Sequence, residues 1–390
     1  MALIDIVVIG GGPGGLHAAA ELGQRGFQVV VLEEHSDVGD EVLCTGVIGA
    51  AAFENFAMPQ ETVVGDLQQA RARGRYGTEV VYTPSRPLAY IVDKKAFNRA
   101  LARRALAAGV EMRYHSRVVS INNDTQQVCV TVRERDRYES TVRARLAVIA
   151  CGVHYRLAKQ LGFGVPQEFL QGAQAEVPGS LVSCTEVFLD KTLSPDGFGW
   201  IVPLKTGHSR VGLMAGSRAD QALAHWLDRL LPDWRQQPGL KIATKPIAQG
   251  RLRCTYANRV LVVGEAAGQI KCTTGGGIYY AMLCAQLAVQ TIVRAFAQLS
   301  FAAPSLAPYE RTWQHTLGTE LRVGRYFRKL YSQLQDKHID ALLRFAARNG
   351  LMELIHHKAD FDWHSELIMA MLKHTAVRRT VLGSFLSSFS

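Results

Sequence analysis

Ile4-Asp5-Ile6-Val7-Val8-Ile9-Gly10-Gly11-Gly12-Pro13-Gly14-Gly15 opens the chain, and its continuation to Val29-Val30-Val31-Leu32-Glu33 decides the fold. An apolar run enters a glycine turn, a helical segment follows, and a second apolar run ends in an acid. That order reads as strand, tight turn, helix and parallel strand. The residues of Gly10-x-Gly12-x-x-Gly15 have separate tasks. Gly10 makes the turn, Gly12 lets the backbone approach a pyrophosphate, and Gly15 permits close helix–strand contact. The helix entry at Pro13 and Gly14 directs N–H groups toward phosphates, and Glu33, followed by Glu34, accepts from a ribose hydroxyl. The spacing predicts a bound dinucleotide.

Composition sets the frame around this motif. At 390 residues, 48% hydrophobic and 20% charged, the chain can bury a core large enough for two or three lobes. No run of 18 or more apolar residues suggests a membrane span, and the first strand begins with no room for a signal peptide, so a cytoplasmic protein is expected. The seven cysteines are scattered without a CxxC pair, which fits reduced thiols, and no HExxH or cysteine–histidine cluster accompanies the twelve histidines. No metal is expected. The net charge is +10, and Arg and Lys are dense in the last part of the chain, at Arg322, Arg325, Arg328, Lys329, Lys373, Arg378 and Arg379. Without a nucleic-acid motif, this reads as a peripheral membrane contact or an ordinary solvated face.

Beyond Glu33 a loop carries Cys44-Thr45-Gly46, and residues 66–92 alternate in a strand-like way. A helix is expected from Lys94 to Ala108 with Gly109 as its cap, then strands at 110–114, 117–121 and 129–135. Arg145–Gly152 reads as a buried parallel strand. From about 165 to 245 short β-like runs alternate with Pro and Gly turns around a helix at Asp220–Leu231, as in an inserted antiparallel sheet. The nucleotide domain resumes near 258. Arg259–Glu265 forms a buried strand ending in an acid, followed by a glycine-rich turn and a helix through about Leu299. Pro304 and Pro308 punctuate the chain, and helices are expected from Tyr309 onward.

Gly264-Glu265-Ala266-Ala267-Gly268, with Thr273-Thr274-Gly275-Gly276-Gly277-Ile278, supplies a second nucleotide-binding half. The acid can hold ribose or ribityl hydroxyls, and three successive glycines let a flat ring lie against the backbone. A helix N-terminus there faces the negative charge that a reduced flavin carries, so the arrangement suits FAD better than NAD.

On these residues the chain resembles the flavoprotein superfamily that contains p-hydroxybenzoate hydroxylase. The Tyr90-Ile91-Val92-Asp93-Lys94-x-x-Phe97 segment adds to that resemblance. More narrowly, Lys271-x-Thr273-Thr274-Gly275-Gly276-Gly277-Ile278-Tyr279-Tyr280 and Phe198-Gly199-Trp200-Ile201-Val202-Pro203 are similar to the geranylgeranyl reductase family. So are Gly318-x-Glu320-Leu321-Arg322-x-Gly324-Arg325 and Asp360-Phe361-Asp362-Trp363 in the tail. Three positions depart from the superfamily pattern: Cys151-Gly152 for Asp-Gly, Lys94 for Arg, and Glu265 for Asp. Cys151 does not keep the charge and weakens an aromatic-hydroxylase reading.

The resemblance implies an α/β fold, α+β overall: a Rossmann-type FAD-binding domain with an inserted antiparallel-sheet substrate domain and a C-terminal helical region. The corresponding boundaries are 1–60, 90–160 and 246–300 for FAD binding, 61–89 and 161–245 for substrate, and 301–390 for the helical region. It also implies reduction of isoprenoid carbon–carbon double bonds by reduced FAD, with NAD(P)H or a ferredoxin as transient electron donor and a hydrophobic prenyl lipid as substrate. Lys94, Val118, Gly152 and the Cys44-Thr45-Gly46 segment join the glycine motifs as expected cofactor residues. Cys44 is the expected catalytic residue: its thiol delivers or relays a proton, tunes the flavin, or serves as a small hydrophobe beside it. Lys271 either stabilises anionic reduced flavin or lies on the surface. Tyr279 and Tyr280 supply a phenol or pack. Phe198, Trp200 and Pro203 line a substrate tunnel or form sheet core. The final segment, His374–Ser390, reads as an interfacial or a docking helix. The other readings kept open are a flavin monooxygenase on a small aromatic substrate, a flavin halogenase, and an electron-transfer flavoprotein-type dehydrogenase feeding quinone.

Overall fold

The computed structural model describes residues 3–40, 43–135, 138–348, 351–375, 377 and 378. The chain forms two compact units. The first comprises Met1–Val42, Lys94–Glu168 and Ala248–Leu321, and the second Leu43–Asp93, Phe169–Ile247 and Arg322–Ser390.

The first unit is built on the βαβ element that the opening sequence predicts. Strand Ile4–Ile9 pairs in parallel with Val29–Leu32 on one side and with strand Glu139–Ile149 on the other. These inner strands are covered on both faces, so consecutive residues are apolar, and Val7, Val8, Val30 and Val31 are all buried. Strand Val260–Val262 continues the sheet beyond Glu139–Ile149, again in parallel. The strand expected at 145–152 starts earlier, at Glu139, and ends at Ile149. Its first half is the antiparallel partner of Val128–Arg133, and only its second half joins the parallel sheet. One strand thus serves two neighbourhoods, and its hydrophobic run marks only the doubly covered part.

Helix Ile278–Ala297 packs on helix Pro13–Gly23 so closely that a Cβ at Gly14 would lie 3.1 Å from the Ala281 carbonyl oxygen. It is the one helix among the described residues long and apolar enough, by length and composition, to cross a membrane, and half of its apolar window is buried in the protein. The following helix, Ala303–Gln333, begins before the expected Tyr309 and carries Pro308 inside it. Proline at this sixth helical position removes a single ladder donor, and the helix runs on past it.

In the second unit, seven strands are ordered Ala243–Ala248, Phe169–Pro178, His208–Ala215, Phe198–Pro203, Thr185–Leu189, Ala70–Gly74 and Glu79–Tyr82. From Phe169–Pro178 to Glu79–Tyr82 the neighbours are antiparallel except Thr185–Leu189 with Ala70–Gly74, which run parallel. The parallel pair arises because Ala70–Gly74 comes from the early 43–93 segment rather than from the next hairpin. Helix Ala219–Leu230 covers one face through Leu223, Trp226 and Leu227, against Ala173, Ala175, Val211 and Leu213. A separate three-stranded sheet, Val47–Gly49, Ala89–Val92 and Val63–Asp66, belongs to the same unit. Of the C-terminal segment expected as an interfacial or docking helix, Ala376 and 379–390 lie outside the described residues.

Candidate cofactor and active site

The first glycine loop is shaped by close backbone contacts on two sides and by open space on a third. Gly10 adopts φ +106°, and a Cβ there would lie 2.6 Å from the Ala150 carbonyl oxygen. A Cβ on Gly15 would meet the Gly10 carbonyl oxygen at 2.2 Å. Gly12, between them, has nothing within 4 Å of its would-be Cβ. That open side lies at the N-cap of helix Pro13–Gly23, where N–H groups without intrahelical partners are directed outward.

Glu33 follows the second strand and is only 7% exposed. Its Oε2 accepts from the Gly11 N–H at 2.7 Å, and its Oε1 accepts from the His35 N–H at 3.0 Å. These bonds hold the carboxylate beside the glycine loop with lone pairs still available. Glu34 lies 3.4 Å from Arg117 and 3.4 Å from His154. Val118, one residue on from Arg117, is half-buried against the core of the first unit.

Cys151 and Gly152 follow strand Glu139–Ile149. Gly152 takes φ +60° with open space around it. Burial pushes the Cys151 thiol up to about 12, so it remains a neutral thiol. Lys94 is buried at the start of helix Lys94–Ala107, its ammonium donating to Asn98 Oδ1, while Asn98 Nδ2 donates to the Val38 carbonyl at 2.7 Å.

In the second glycine motif, Glu265 lies past the end of the strand, inside the single 3-10 turn Gly264–Ala267. Gly264 adopts φ +68°, and a Cβ there would come 3.0 Å from the Ala281 Cβ. Ala281 is therefore the meeting point of the two motifs, touched by Gly14 from one and by Gly264 from the other. The sequence motifs point to the glycines and not to this alanine, whose small side chain makes the approach possible.

The loop before helix Ile278–Ala297 closes on itself. Lys271 N–H donates to the Gly276 carbonyl at 3.0 Å, and Gly275 N–H, with Gly275 at φ +74°, donates to the Lys271 carbonyl at 2.8 Å. Lys271 is 5% exposed, and its Nζ lies 3.3 Å from where a Gly276 Cβ would stand. The surface-lysine expectation is therefore replaced by a buried ammonium against the glycines. Gly277 caps the helix. Tyr280 is wholly buried and Tyr279 nearly so, with their ring centroids 6.3 Å apart.

A buried tie that no sequence motif announces supports this loop. Gly264 N–H donates to Gln269 Oε1 at 2.7 Å, Gln269 Nε2 donates to Tyr309 Oη at 3.0 Å, and the Tyr309 hydroxyl donates to the Val262 carbonyl at 2.8 Å. A glutamine just after a glycine turn is its only sequence trace.

In the second unit, Gly46 takes φ +76° and its N–H donates to Cys44 Sγ at 3.3 Å. The Thr45 hydroxyl donates to Gln174 Oε1 at 2.8 Å. Phe198 and Trp200 share a face of their strand, with ring centroids 5.8 Å apart, and the Trp200 indole lies over Gly212. Pro203 ends that strand. Gly199, between the two aromatics, faces Trp226 of helix Ala219–Leu230. Phe198 and Trp200 therefore point away from the core beneath that helix.

These residues accommodate FAD: open backbone at Gly12, an acid held beside it, and a second glycine-lined helix entry joined to the first through Ala281. The fold and this site define an FAD-dependent oxidoreductase.

Comparison with known proteins narrows the class. Residues 4–168 match the family described as pyridine nucleotide-disulphide oxidoreductase. Over 354 residues the chain is 28% identical to the digeranylgeranylglycerophospholipid reductase of Methanocaldococcus jannaschii, a match covering 87% of this chain and 89% of that protein. A geranylgeranyl bacteriochlorophyll reductase-like protein from Thermoplasma acidophilum shares the fold with a TM-score of 0.84, over 98% of this chain and 100% of that one, at 18% identity. The p-nitrophenol 4-monooxygenase of Pseudomonas putida DLL-E4 shares it with a TM-score of 0.72, over 92% and 98% of the two chains, at 18% identity.

Proposed function

We propose that this protein reduces carbon–carbon double bonds of a geranylgeranyl-type isoprenoid lipid or prenyl precursor. The observation that carries the reading is the similarity of the chain, along most of its length, to lipid reductases, supported by two glycine motifs in the first unit and, in the second, a sheet face bearing Phe198 and Trp200. In the first unit, Gly10, Gly12, Pro13, Gly14 and Gly15 receive the pyrophosphate and Glu33 the ribose. Glu34, Val118 and Gly152 border the cofactor, and Lys94 braces the adjoining loop through Asn98. Gly264, Glu265 and the Gly275–Ile278 turn receive the ribityl and ring portions, with Lys271 compensating negative charge on the reduced ring.

Held by these residues, reduced FAD would supply the hydride equivalent for one alkene carbon. The other carbon needs a proton, because an isolated alkene does not accept hydride unaided. Cys44 provides that proton from its thiol, and water returns one to the thiolate, so the alkene gains two hydrogens and the flavin loses two electrons. Phe198 and Trp200 hold the apolar chain and keep water away from it, whereas Pro203, at the strand's end, falls on the alternate face. NAD(P)H or a ferredoxin-like protein supplies electrons as a visiting donor, and the exposed Arg322, Arg325, Lys329 and Lys373, without the buried Arg328, serve a peripheral membrane contact suited to a lipid substrate.

The monooxygenase shares the fold alone. Cys151, where its superfamily usually carries aspartate, gives no support to that chemistry here. The reading is tested on lipid extracts from cells with and without the gene. Prenyl lipids are expected to gain roughly two mass units per double bond when the gene is present. No change in any prenyl lipid, together with substrate-stimulated oxygen consumption by the purified protein, would overturn it.

A further inference from the structure

Gln174 and Arg210 hold the Cys44–Gly46 segment by its side chain and by its main chain. The two residues lie on adjacent antiparallel strands, Gln174 opposite Gly212 and Glu176 opposite Arg210. They share a face, and the other face carries the apolar core under helix Ala219–Leu230. Both are 8% exposed. Arg210 Nη1 donates to the Thr45 carbonyl at 2.7 Å and to the Val92 carbonyl at 3.0 Å, while its Nε donates to Glu176 Oε2 at 3.0 Å. Gln174 Oε1 accepts from the Thr45 hydroxyl at 2.8 Å and from the Trp200 indole N–H at 3.4 Å. Gly46 is pressed into the same place, for a Cβ there would stand 2.5 Å from the Val92 carbonyl and 2.8 Å from Arg210 Nη1.

We propose that Gln174 and Arg210 are positioning residues for the Cys44 thiol, an inference that rests on the proton-donor role given to Cys44 above. Two hydrogen bonds hold Thr45, the residue next to that thiol, one at its carbonyl and one at its hydroxyl, and irregular backbone with buried carbonyls requires such donors. The guanidinium is a costly way to supply them inside a sheet face, and the core beneath helix Ala219–Leu230 does not depend on it. Gln174 also binds the indole that lines the chain, so one amide oxygen sets the thiol loop and the substrate face in a common register. Released from these anchors, Cys44 samples other orientations while the sheet stays folded.

The test uses the full-length, FAD-loaded protein with Thr45→Val, Gln174→Leu, Arg210→Met and Arg210→Lys. The iodoacetamide reaction rate at the Cys44 peptide is followed by mass spectrometry, with the peptide of the partly exposed Cys129 as an internal reference. kcat and KM are measured on a geranylgeranyl lipid. The expected result is an altered Cys44 alkylation rate, kcat lower by roughly 10- to 100-fold and KM nearly unchanged, with partial recovery in Arg210→Lys relative to Arg210→Met. Should Arg210→Met fail to fold, the milder Thr45→Val and Gln174→Leu changes decide the question. Cys44→Ala separates the two claims. Wild-type kcat in that variant overturns the proton-donor reading. Lost kcat in Cys44→Ala beside unchanged alkylation and kcat in folded Thr45→Val and Gln174→Leu overturns the positioning claim alone.

Discussion

Gly12 and Gly15 belong to one motif, yet an added methyl group meets opposite surroundings at the two. Gly12 has φ −78° and ψ 173°, a conformation alanine adopts freely, and open space where its Cβ would stand. Gly12→Ala is expected to leave the stability of the FAD-free protein within about 1 kcal/mol and to weaken FAD binding tenfold or more, about 1.4 kcal/mol, because the methyl fills space the pyrophosphate needs. Gly15→Ala drives a Cβ into the Gly10 carbonyl and should cost about 1–3 kcal/mol in the FAD-free protein as well. Urea unfolding and flavin fluorescence titration separate the two outcomes. His17 gives a pH prediction at the same scale. Burial on helix Pro13–Gly23 lowers its pKa from 6.5 to about 4. As pH falls, the unfolded chain therefore binds this proton first. The stability is complete above about pH 6.5, drains away toward pH 4, and falls no further from this cause. Between about pH 7 and pH 4.5, wild type should lose about 2–3 kcal/mol relative to His17→Leu in urea unfolding.

Elements show where the sequence is a sufficient guide and where it is not. The helix Lys94–Ala107 and the helix Ala219–Leu230 emerge within a residue or so of their expected bounds, because amphipathic spacing and flanking breakers are local signals. The loop 271–277 is different. Its glycines announce a close approach, but the inward turn of Lys271 follows from two loop-closing bonds that no residue type specifies. The Gln269–Tyr309 tie is further out of reach, since it joins groups forty residues apart on a strand end, a turn and a later helix. Tyr309→Phe leaves the Val262 carbonyl and Gln269 short of a buried partner. We expect a loss of about 1–3 kcal/mol in unfolding free energy and weaker FAD binding, with the glycine motifs themselves intact. Isothermal titration with FAD and urea unfolding of the same sample check both parts. Arg210 does leave a trace, a lone charge ahead of Val211-Gly212-Leu213-Met214-Ala215, and such a charge inside an apolar strand calls for a partner of its own.

For the whole molecule, cofactor and stability are linked. A ligand that binds only folded protein adds RT ln(1 + [L]/Kd), about 2.7 kcal/mol at a hundredfold excess over Kd, so the melting temperature should climb with FAD concentration and climb far less in Gly12→Ala. Differential scanning calorimetry across an FAD series measures this, and a flat response in wild type would remove the basis for the cofactor assignment. The nucleotide-binding architecture, the sheet-forming character of 165–245 and the existence of a second glycine-lined entry were all legible in residue order. Each depends on backbone conformation or on hydrophobic period, which neighbouring residues determine. Tertiary structure alone decided that Ala281 receives Gly14 and Gly264 together, that Ala70–Gly74 runs parallel to Thr185–Leu189, and that Gln174 and Arg210 grip Thr45. Those contacts join segments distant along the chain, and their geometry depends on how side chains fill space after the elements have packed.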